Sequence, residues 1–274
     1  MQEKILSSPR LIFLIFATVL TVWRLIPYDI GPYLSAAFGQ VVVVAILPIL
    51  IIRISGKELG FTIKAASLRS IVVALVSTLA FVVIRYYLLA ATEHIVSIPP
   101  EIWAETKKLA EASTIKDFFA KAAIIALLPS LCEEIFSRGI CQTALSAHYG
   151  NRSGLIIAAG LFAALHITDP WLIHLHFLSG CFFGWIYMTG GTLWLPVICH
   201  FTVNLWAVAN SNYEWVKLPT GIPAVDMVIV ACAVVVFLIM IRQSNLLRRT
   251  DSKSAQCVVA DLCFMGKKNK GENL

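Results

Sequence analysis

Charged residues are scarce in this sequence: Asp, Glu, Lys and Arg make up 14% of its 274 residues, against about 25% in soluble domains. Hydrophobic residues fill the difference at 58%, and the mean hydropathy is +0.80. Disordered, collagen-like and coiled-coil chains are excluded, because none of them carries long apolar runs with so few charges between them. The composition therefore predicts an integral membrane protein.

Cysteine pairing signals are also lacking. The 7 cysteines are odd in number, and none of them forms a C-x-x-C pair. Neither a disulfide framework nor a zinc knuckle is indicated by this pattern. Since most of the cysteines lie inside apolar runs, we interpret them as free thiols.

The net charge of +6 would favour a nucleic-acid partner in a soluble protein. Here the Lys and Arg residues flank apolar runs, where such residues orient a protein in its membrane. The predicted partner is therefore the lipid bilayer, and no nucleic acid is expected. The distribution of Lys and Arg favours both termini in the cytoplasm, and we predict location in a bacterial inner or plasma membrane.

A membrane span needs ~20 mostly apolar residues, and about eight runs approach this length. They cover Leu11 to Tyr28, Tyr33 to Ile54, Ile71 to Ala91, Phe118 to Ala147, Ser153 to Thr168, Trp171 to Met188, Leu193 to Asn210 and Ile222 to Ile241. Glu101 to Lys121 is predicted to contain a short interfacial amphipathic helix. The expected fold is all-α, a polytopic bundle of about eight transmembrane helices with the site inside the bundle.

Four regions follow from this pattern. Residues 1–117 hold the N-terminal transmembrane helices and the interfacial helix, and residues 118–210 form the core with the chemically unusual residues. Residues 211–247 contain the last transmembrane helix, and residues 248–274 form a basic mobile tail.

Ionisable residues inside apolar runs are informative, since one charge in the bilayer costs ~2.5–3.5 kcal/mol on insertion scales. Arg24 and Arg85 are isolated, and we interpret both as structural. The fourth run is different because it contains Glu133, Glu134 and Arg138. Glu134 and Arg138 have the i, i+4 spacing of an ion pair. Glu133 points about 100° away around the helix, so it must face a group on another element.

Two later helices offer such groups. Phe162 and His166 lie one turn apart, as do His200 and Asn204. Glu133 and His166 are equally far from a turn at Gly150, so an antiparallel hairpin would place both ~24 Å from that turn at 1.5 Å per residue. His174 and His176 are two residues apart and point to opposite faces of their helix, so we do not pair them as ligands.

A carboxylate beside an imidazole can hold a water molecule and remove its proton, which predicts hydrolysis. A second imidazole and an amide N–H group suit a developing oxyanion. Other routes to peptide hydrolysis lack their motifs: the sequence has no H-E-x-x-H and no G-x-G-D, and Ser179 lacks a G-x-S context.

The motifs resemble those of the CAAX protease and bacteriocin-processing family, also called the Abi family, of glutamic-type intramembrane proteases. The resemblance rests on Glu133-Glu134-x-x-x-Arg138, Phe162-x-x-x-His166 and His200-x-x-x-Asn204, in that order on three apolar helices. It covers about Phe118 to Asn210, and Gly190 to Pro196 is similar to the family's connecting segment.

The resemblance implies an eight-helix core with a cavity open to lipid and water, and residues 118–210 would be its catalytic part. It also implies that Glu133 is the general base and that His166 helps to activate the water. His200 and Asn204 would stabilise the oxyanion, while Glu134 and Arg138 would position Glu133. The substrate would be a membrane-associated protein or peptide.

Two other functions remain open at this point. Glu133, His166 and His200 have the composition of a His₂Glu catalytic zinc site, so a zinc-dependent protease is the alternative enzyme, although no cofactor is predicted. The protein could instead be an immunity factor that binds a membrane-active peptide without cutting it. A transporter is disfavoured, because the sequence shows no inverted repeat.

Overall fold

The computed structural model describes residues 8–26, 31–57, 59–61, 63–213, 216–218 and 221–243. Every regular element within these ranges is helical, which confirms the predicted all-α class for this part of the chain. The predicted tail at 248–274 lies outside the described residues, as does Tyr28 at the end of the first predicted run.

Nine helices are present in the described residues. They are α1 (Pro9–Arg24), α2 (Pro32–Ile54), α3 (Leu68–Ile95), α4 (Pro100–Ala110), α5 (a continuous helical run, 115–149), α6 (Asn151–Leu165), α7 (Pro170–Gly190), α8 (Trp194–Asn212) and α9 (Pro223–Gln243). Each predicted apolar run coincides with one of them. The predicted amphipathic segment divides between α4 and the start of α5.

Among the described helices, 4 are long and apolar enough to cross a membrane, namely α2, α3, α7 and α9. The expected number of about eight spans is therefore not confirmed. Helices α1 and α6 have only 16 and 15 residues, and at 1.5 Å per residue they are shorter than a ~30 Å hydrocarbon core. Helix α5 carries charged residues, and α8 is rich in polar ones. Of these four candidate spans, α9 is the least covered by protein, with Met227 73% exposed.

The turn at Gly150 brings α5 and α6 together as a hairpin. Gly150 has a φ of +80°, which residues with a Cβ atom rarely adopt. Four residues further on, Gly154 lies so close to Ser146 that a Cβ atom would overlap the backbone of α5. The two helices therefore run side by side, as the sequence predicts.

Helix α5 is not uniform where it carries the two carboxylates. The α-helical segment Leu128–Glu134 lies between two π-helical segments, Ala122–Leu127 and Ile135–Gln142. Pro129, which lacks an N–H group, is the second residue of the α-helical segment. Glu133 and Glu134 are its last two residues, so the ideal 100° separation applies to them.

Two apolar clusters flank this segment. One packs α1 and α2 against the second half of α5, with Phe16 stacked on Phe136 at 6.5 Å between ring centroids. The other joins α3, α7 and α8, with Phe81 stacked on Phe182 at 4.4 Å. The polar residues of α5, α6 and α8 meet between these clusters.

Candidate active site

Glu133 lies where three helices converge. Its Oε1 accepts a hydrogen bond from Nε2 of Gln40 on α2 at 2.8 Å, while its buried Oε2 has no hydrogen-bond partner in the described protein. The Nε2 atoms of His166 and His200 each lie 4.0 Å from this Oε2. The predicted meeting of Glu133 with His166 is therefore confirmed as geometry, and His200 joins them.

The 4.0 Å separations exceed direct hydrogen-bond length but suit a bridging water molecule. A water about 2.8 Å from Oε2 and about 2.8 Å from either Nε2 would subtend roughly 90° between them, with ordinary hydrogen-bond lengths. The three atoms therefore define a place where a water molecule could donate to more than one acceptor.

The orientation of the His166 ring is set by its own helix. Its Nδ1 lies 3.0 Å from the carbonyl oxygen of Phe162. Because a carbonyl only accepts, Nδ1 must carry the proton in this hydrogen bond. In the neutral ring, Nε2 then presents its lone pair towards Glu133. The Nδ1–H tautomer therefore allows Nε2 of His166 to act as a base.

Glu134 belongs to a separate, enclosed network. Its Oε1 accepts hydrogen bonds from Nη1 of Arg138 at 2.8 Å and from Nδ1 of His200 at 2.8 Å. The exposed fractions of Glu134 and Arg138 are 0% and 1%. The ion pair predicted from the i, i+4 spacing is confirmed. The contacts of Glu134 orient His200, whereas the resemblance implied that Glu134 positions Glu133.

Arg138 is held from several sides. Its Nη2 donates to the carbonyl oxygen of Gly180 on α7 at 2.9 Å, and its guanidinium lies 4.7 Å from the centroid of the Phe162 ring. A Cβ atom at Gly180 would come within 2.9 Å of the Cα atom of Ala159 on α6. The absence of a side chain there lets α7 approach closely enough for its carbonyl to reach Arg138.

A cavity of about 900 Å³ opens beside Glu133. Its wall includes polar groups from α2, α3 and α5 to α8, as well as from the α6–α7 connection: Gln40, Arg85, Glu133, His166, Asp169, His176, Ser179, His200 and Asn204. Asn204 follows His200 by one turn on α8. Among the described hydrogen bonds and ion pairs, none joins Asn204 to the other predicted site residues. Ser179 donates its hydroxyl to the carbonyl of Leu175 at 2.9 Å.

Two residues at this site were missed by sequence reasoning. His176 stacks on His166, with 3.9 Å between ring centroids and 13° between ring planes. Its spacing from Ser179 and Phe183, i+3 and i+7, was a usable signal, because the three share one face of α7. Gln40 gave a weaker signal as an isolated polar residue in an apolar run. His174 faces away, with its Nε2 2.9 Å from Thr92 on α3.

Asp169 lies in the connection between α6 and α7 and lines the cavity. Burial raises its pKa above the ordinary value, and the charge of nearby His166 acts in the opposite direction. Its backbone N–H group donates to the carbonyl of His166 at 2.9 Å. The connection is therefore tied to the end of α6 that carries His166.

A metal ion was the alternative suggested by the donor types. Within the part of the chain that the structure describes, no group of three or more His, Cys, Asp or Glu side chains is arranged to hold one. Glu133, His166 and His200 have suitable donor atoms but not the spacing.

Residues 115–206 match the family model described as Type II CAAX prenyl endopeptidase Rce1-like. Over this segment the chain matches the CAAX protease family. The resemblance drawn from the motifs is thereby confirmed, and the matched range contains every predicted site residue: Glu133, Glu134, Arg138, Phe162, His166, His200 and Asn204. Together with the apolar helices, the match identifies an integral membrane protein and supports a hydrolase of the protease class. No curated protein and no solved structure matches the chain.

Proposed function

We propose that this protein is an intramembrane endopeptidase that hydrolyses peptide bonds of a membrane-associated protein or peptide. The observation that carries the proposal is the convergence on one unpartnered oxygen. Glu133 Oε2 faces Nε2 of both His166 and His200 at 4.0 Å. The glutamic subclass of protease follows from giving Glu133 the role of general base.

Glu133 and His166 activate the water. A water molecule has two protons, one of which it donates to Glu133 Oε2 and the other to the unprotonated Nε2 of His166. Its oxygen lone pair is then free to attack the carbonyl carbon of the substrate. Glu133 takes the proton that the water loses as the new C–O bond forms. When the C–N bond breaks, Glu133 returns this proton to the leaving nitrogen.

His200 and Asn204 stabilise the negative charge that develops on the carbonyl oxygen. His200 donates Nδ1–H to Glu134, so it acts as an oxyanion donor when its Nε2 also carries a proton. The side-chain amide of Asn204 supplies another N–H donor from the same cavity wall. Loss of one such donor typically costs ~2.7–4 kcal/mol of transition-state stabilisation.

The test uses purified protein in lipid nanodiscs. Because the family description names a CAAX prenyl endopeptidase, the first probe is a farnesylated CAAX peptide with a fluorophore and a quencher, beside the same peptide without farnesyl. We expect cleavage by the wild type and none by Glu133→Gln. The activity should survive EDTA and 1,10-phenanthroline, whereas loss that Zn²⁺ restores would favour the zinc-dependent alternative.

A broader search covers substrates outside this class. Membrane peptides are compared by mass spectrometry from three kinds of cells: cells with the wild-type gene, cells without it, and cells that express Glu133→Gln. Fragments that appear only with the wild type support hydrolysis. If Glu133→Gln reproduces the wild-type effect in cells without any fragment, the protein acts by binding a peptide and the proposal is wrong.

A further inference from the structure

Arg85 is a half-buried cation on α3 that lines the cavity. Its Nε is buried without a hydrogen-bond partner. No carboxylate among the described residues lies within ion-pair distance of its guanidinium, and none of the described hydrogen bonds involves it. The structural role expected from the sequence therefore has no contact to support it.

A half-buried guanidinium without an ion-pair partner favours a counter-charge. An uncompensated ionised group away from water is strongly unfavourable. The acidic groups of the cavity wall do not supply one: Glu133 directs its free oxygen at His166 and His200, Glu111 pairs with Lys107 at 3.1 Å, and Asp169 lies near His166. A ligand with an anionic group would complete the site.

Arg85 is close to the hydrolytic groups. Its charge interacts with that of His176, and the His176 ring stacks directly on His166. Apolar and aromatic side chains also line this cavity, among them Tyr86, Leu89 and Phe183. An anion held by Arg85 would therefore belong to the same molecule whose peptide bond lies at Glu133.

We propose that Arg85 binds a carboxylate of the substrate, and specifically the free C-terminal carboxylate of an apolar peptide. The proposal rests on the proposed endopeptidase function, because it assigns one end of that substrate. A guanidinium matches a carboxylate with two parallel N–H donors, which an ammonium group cannot do. The C-terminal carboxylate is the anion that every peptide carries, including one composed only of apolar residues.

The experiment measures binding without turnover, so that it does not depend on catalysis. The inactive Glu133→Gln variant in nanodiscs is titrated with a fluorescein-labelled, farnesylated peptide of apolar sequence in two forms, the free acid and the C-terminal amide. We expect the acid to bind about tenfold more tightly than the amide, as charge-assisted hydrogen bonds imply. A third peptide, amidated but with Asp as its last residue, separates a terminal from a side-chain carboxylate.

Substitution of Arg85 supplies the decisive comparison. Arg85→Gln in the Glu133→Gln background should bind both peptide forms with the weak affinity of the amide, and Arg85→Lys should keep only part of the preference. Arg24→Gln is the matched control, because Arg24 is also isolated on a helix but is exposed and lies outside the cavity wall. It should bind like the parent. If Arg85→Gln does not fold, Arg85→Lys still tests whether the acid preference depends on the two parallel N–H donors of a guanidinium.

Equal binding of acid and amide, including no binding of either, overturns the carboxylate site. So does an acid preference that survives in Arg85→Gln. Stronger binding of the Asp-ended amide than of the free acid would assign Arg85 to a side-chain carboxylate. Displacement of the probe by short-chain phosphatidylglycerol, but not by unlabelled peptide acid, would assign it to a lipid phosphate. Failure of the wild type to cleave any peptide is a separate result that bears on the proposed function alone.

Discussion

Glu133 and Glu134 are adjacent in the chain but lie in opposite environments. Glu134 is enclosed, and one of its oxygens accepts hydrogen bonds from both Arg138 and His200. Glu133 faces the cavity, where one oxygen accepts from Gln40 and the other has no partner. The difference shows how one step of about 100° around a helix separates a carboxylate that stabilises the bundle from one that is free to react.

The comparison also assigns the two histidines to different tasks. His166 bonds its Nδ1–H to a backbone carbonyl, so in the neutral ring its Nε2 carries the lone pair of a base. His200 bonds its Nδ1–H to the Glu134 carboxylate, which fixes the direction in which its Nε2 points. Both histidines present Nε2 to the same oxygen of Glu133. His166 can therefore act as a base towards the attacking water, while His200 acts as a donor towards the substrate carbonyl.

The largest expected effect is on catalysis. Glu133→Gln and His166→Ala should each lower the hydrolysis rate by ~10²–10⁴-fold, since each removes a group that transfers or holds the proton. Their thermal unfolding midpoints in nanodiscs should stay near that of the wild type. Wild-type turnover by either folded variant would contradict the assignment of the open carboxylate as the base.

The next effect is on stability. Arg138→Ala leaves the enclosed Glu134 without its cation, at a cost of ~3–5 kcal/mol, and should lower both the yield and the thermal unfolding midpoint. Glu134→Gln/Arg138→Met removes both charges and should recover part of the loss. An Arg138→Ala protein that is fully stable but inactive would place the guanidinium in the chemistry instead.

A smaller effect is expected at His176, which touches the open side of the site by stacking on His166. Ring pairs contribute ~0.5–1.5 kcal/mol, so His176→Ala should lower kcat several-fold by loosening the His166 ring, and His176→Phe should restore it. The pH dependence of kcat separates positioning from a merely structural role, because only loss of positioning alters it. His174→Ala is the control, since His174 contacts Thr92 on the other side. Equal losses in both variants would contradict this role.

The smallest effect concerns Asp169. Burial raises its pKa in the folded protein above the ordinary value of 3.8, so the folded state binds this proton more tightly than the unfolded chain does. Its contribution to stability is present below the ordinary pKa and is lost as the pH rises through the raised one. The unfolding midpoint of the wild type should therefore fall slightly relative to that of Asp169→Asn over this acidic interval. If the unfolding midpoints of the two proteins change in parallel with pH, the pKa of Asp169 is not raised in the folded state.

The sequence predicts contacts well where both partners share one helix or one hairpin. The Glu134–Arg138 pair follows from i, i+4 spacing, and the meeting of Glu133 with His166 follows from equal distances to the Gly150 turn. In each case the backbone geometry sets the relative positions, because the rise and rotation per residue are constant. Gln40, His176 and Arg85 escape such reasoning, since they reach the site from helices that no short turn connects to α5.

By itself the sequence determined the helical class, the membrane character and the meeting of Glu133 with His166, because composition and helical spacing control these properties directly. Tertiary structure alone decided that Glu134 is shared by Arg138 and His200, that Gln40 occupies one oxygen of Glu133, and that Arg85 is left unpaired beside the cavity. These contacts depend on how each helix is rotated about its axis and how closely its neighbours approach. Rotation and approach are set by packing around residues such as Gly154 and Gly180, and spacing along the chain does not encode them.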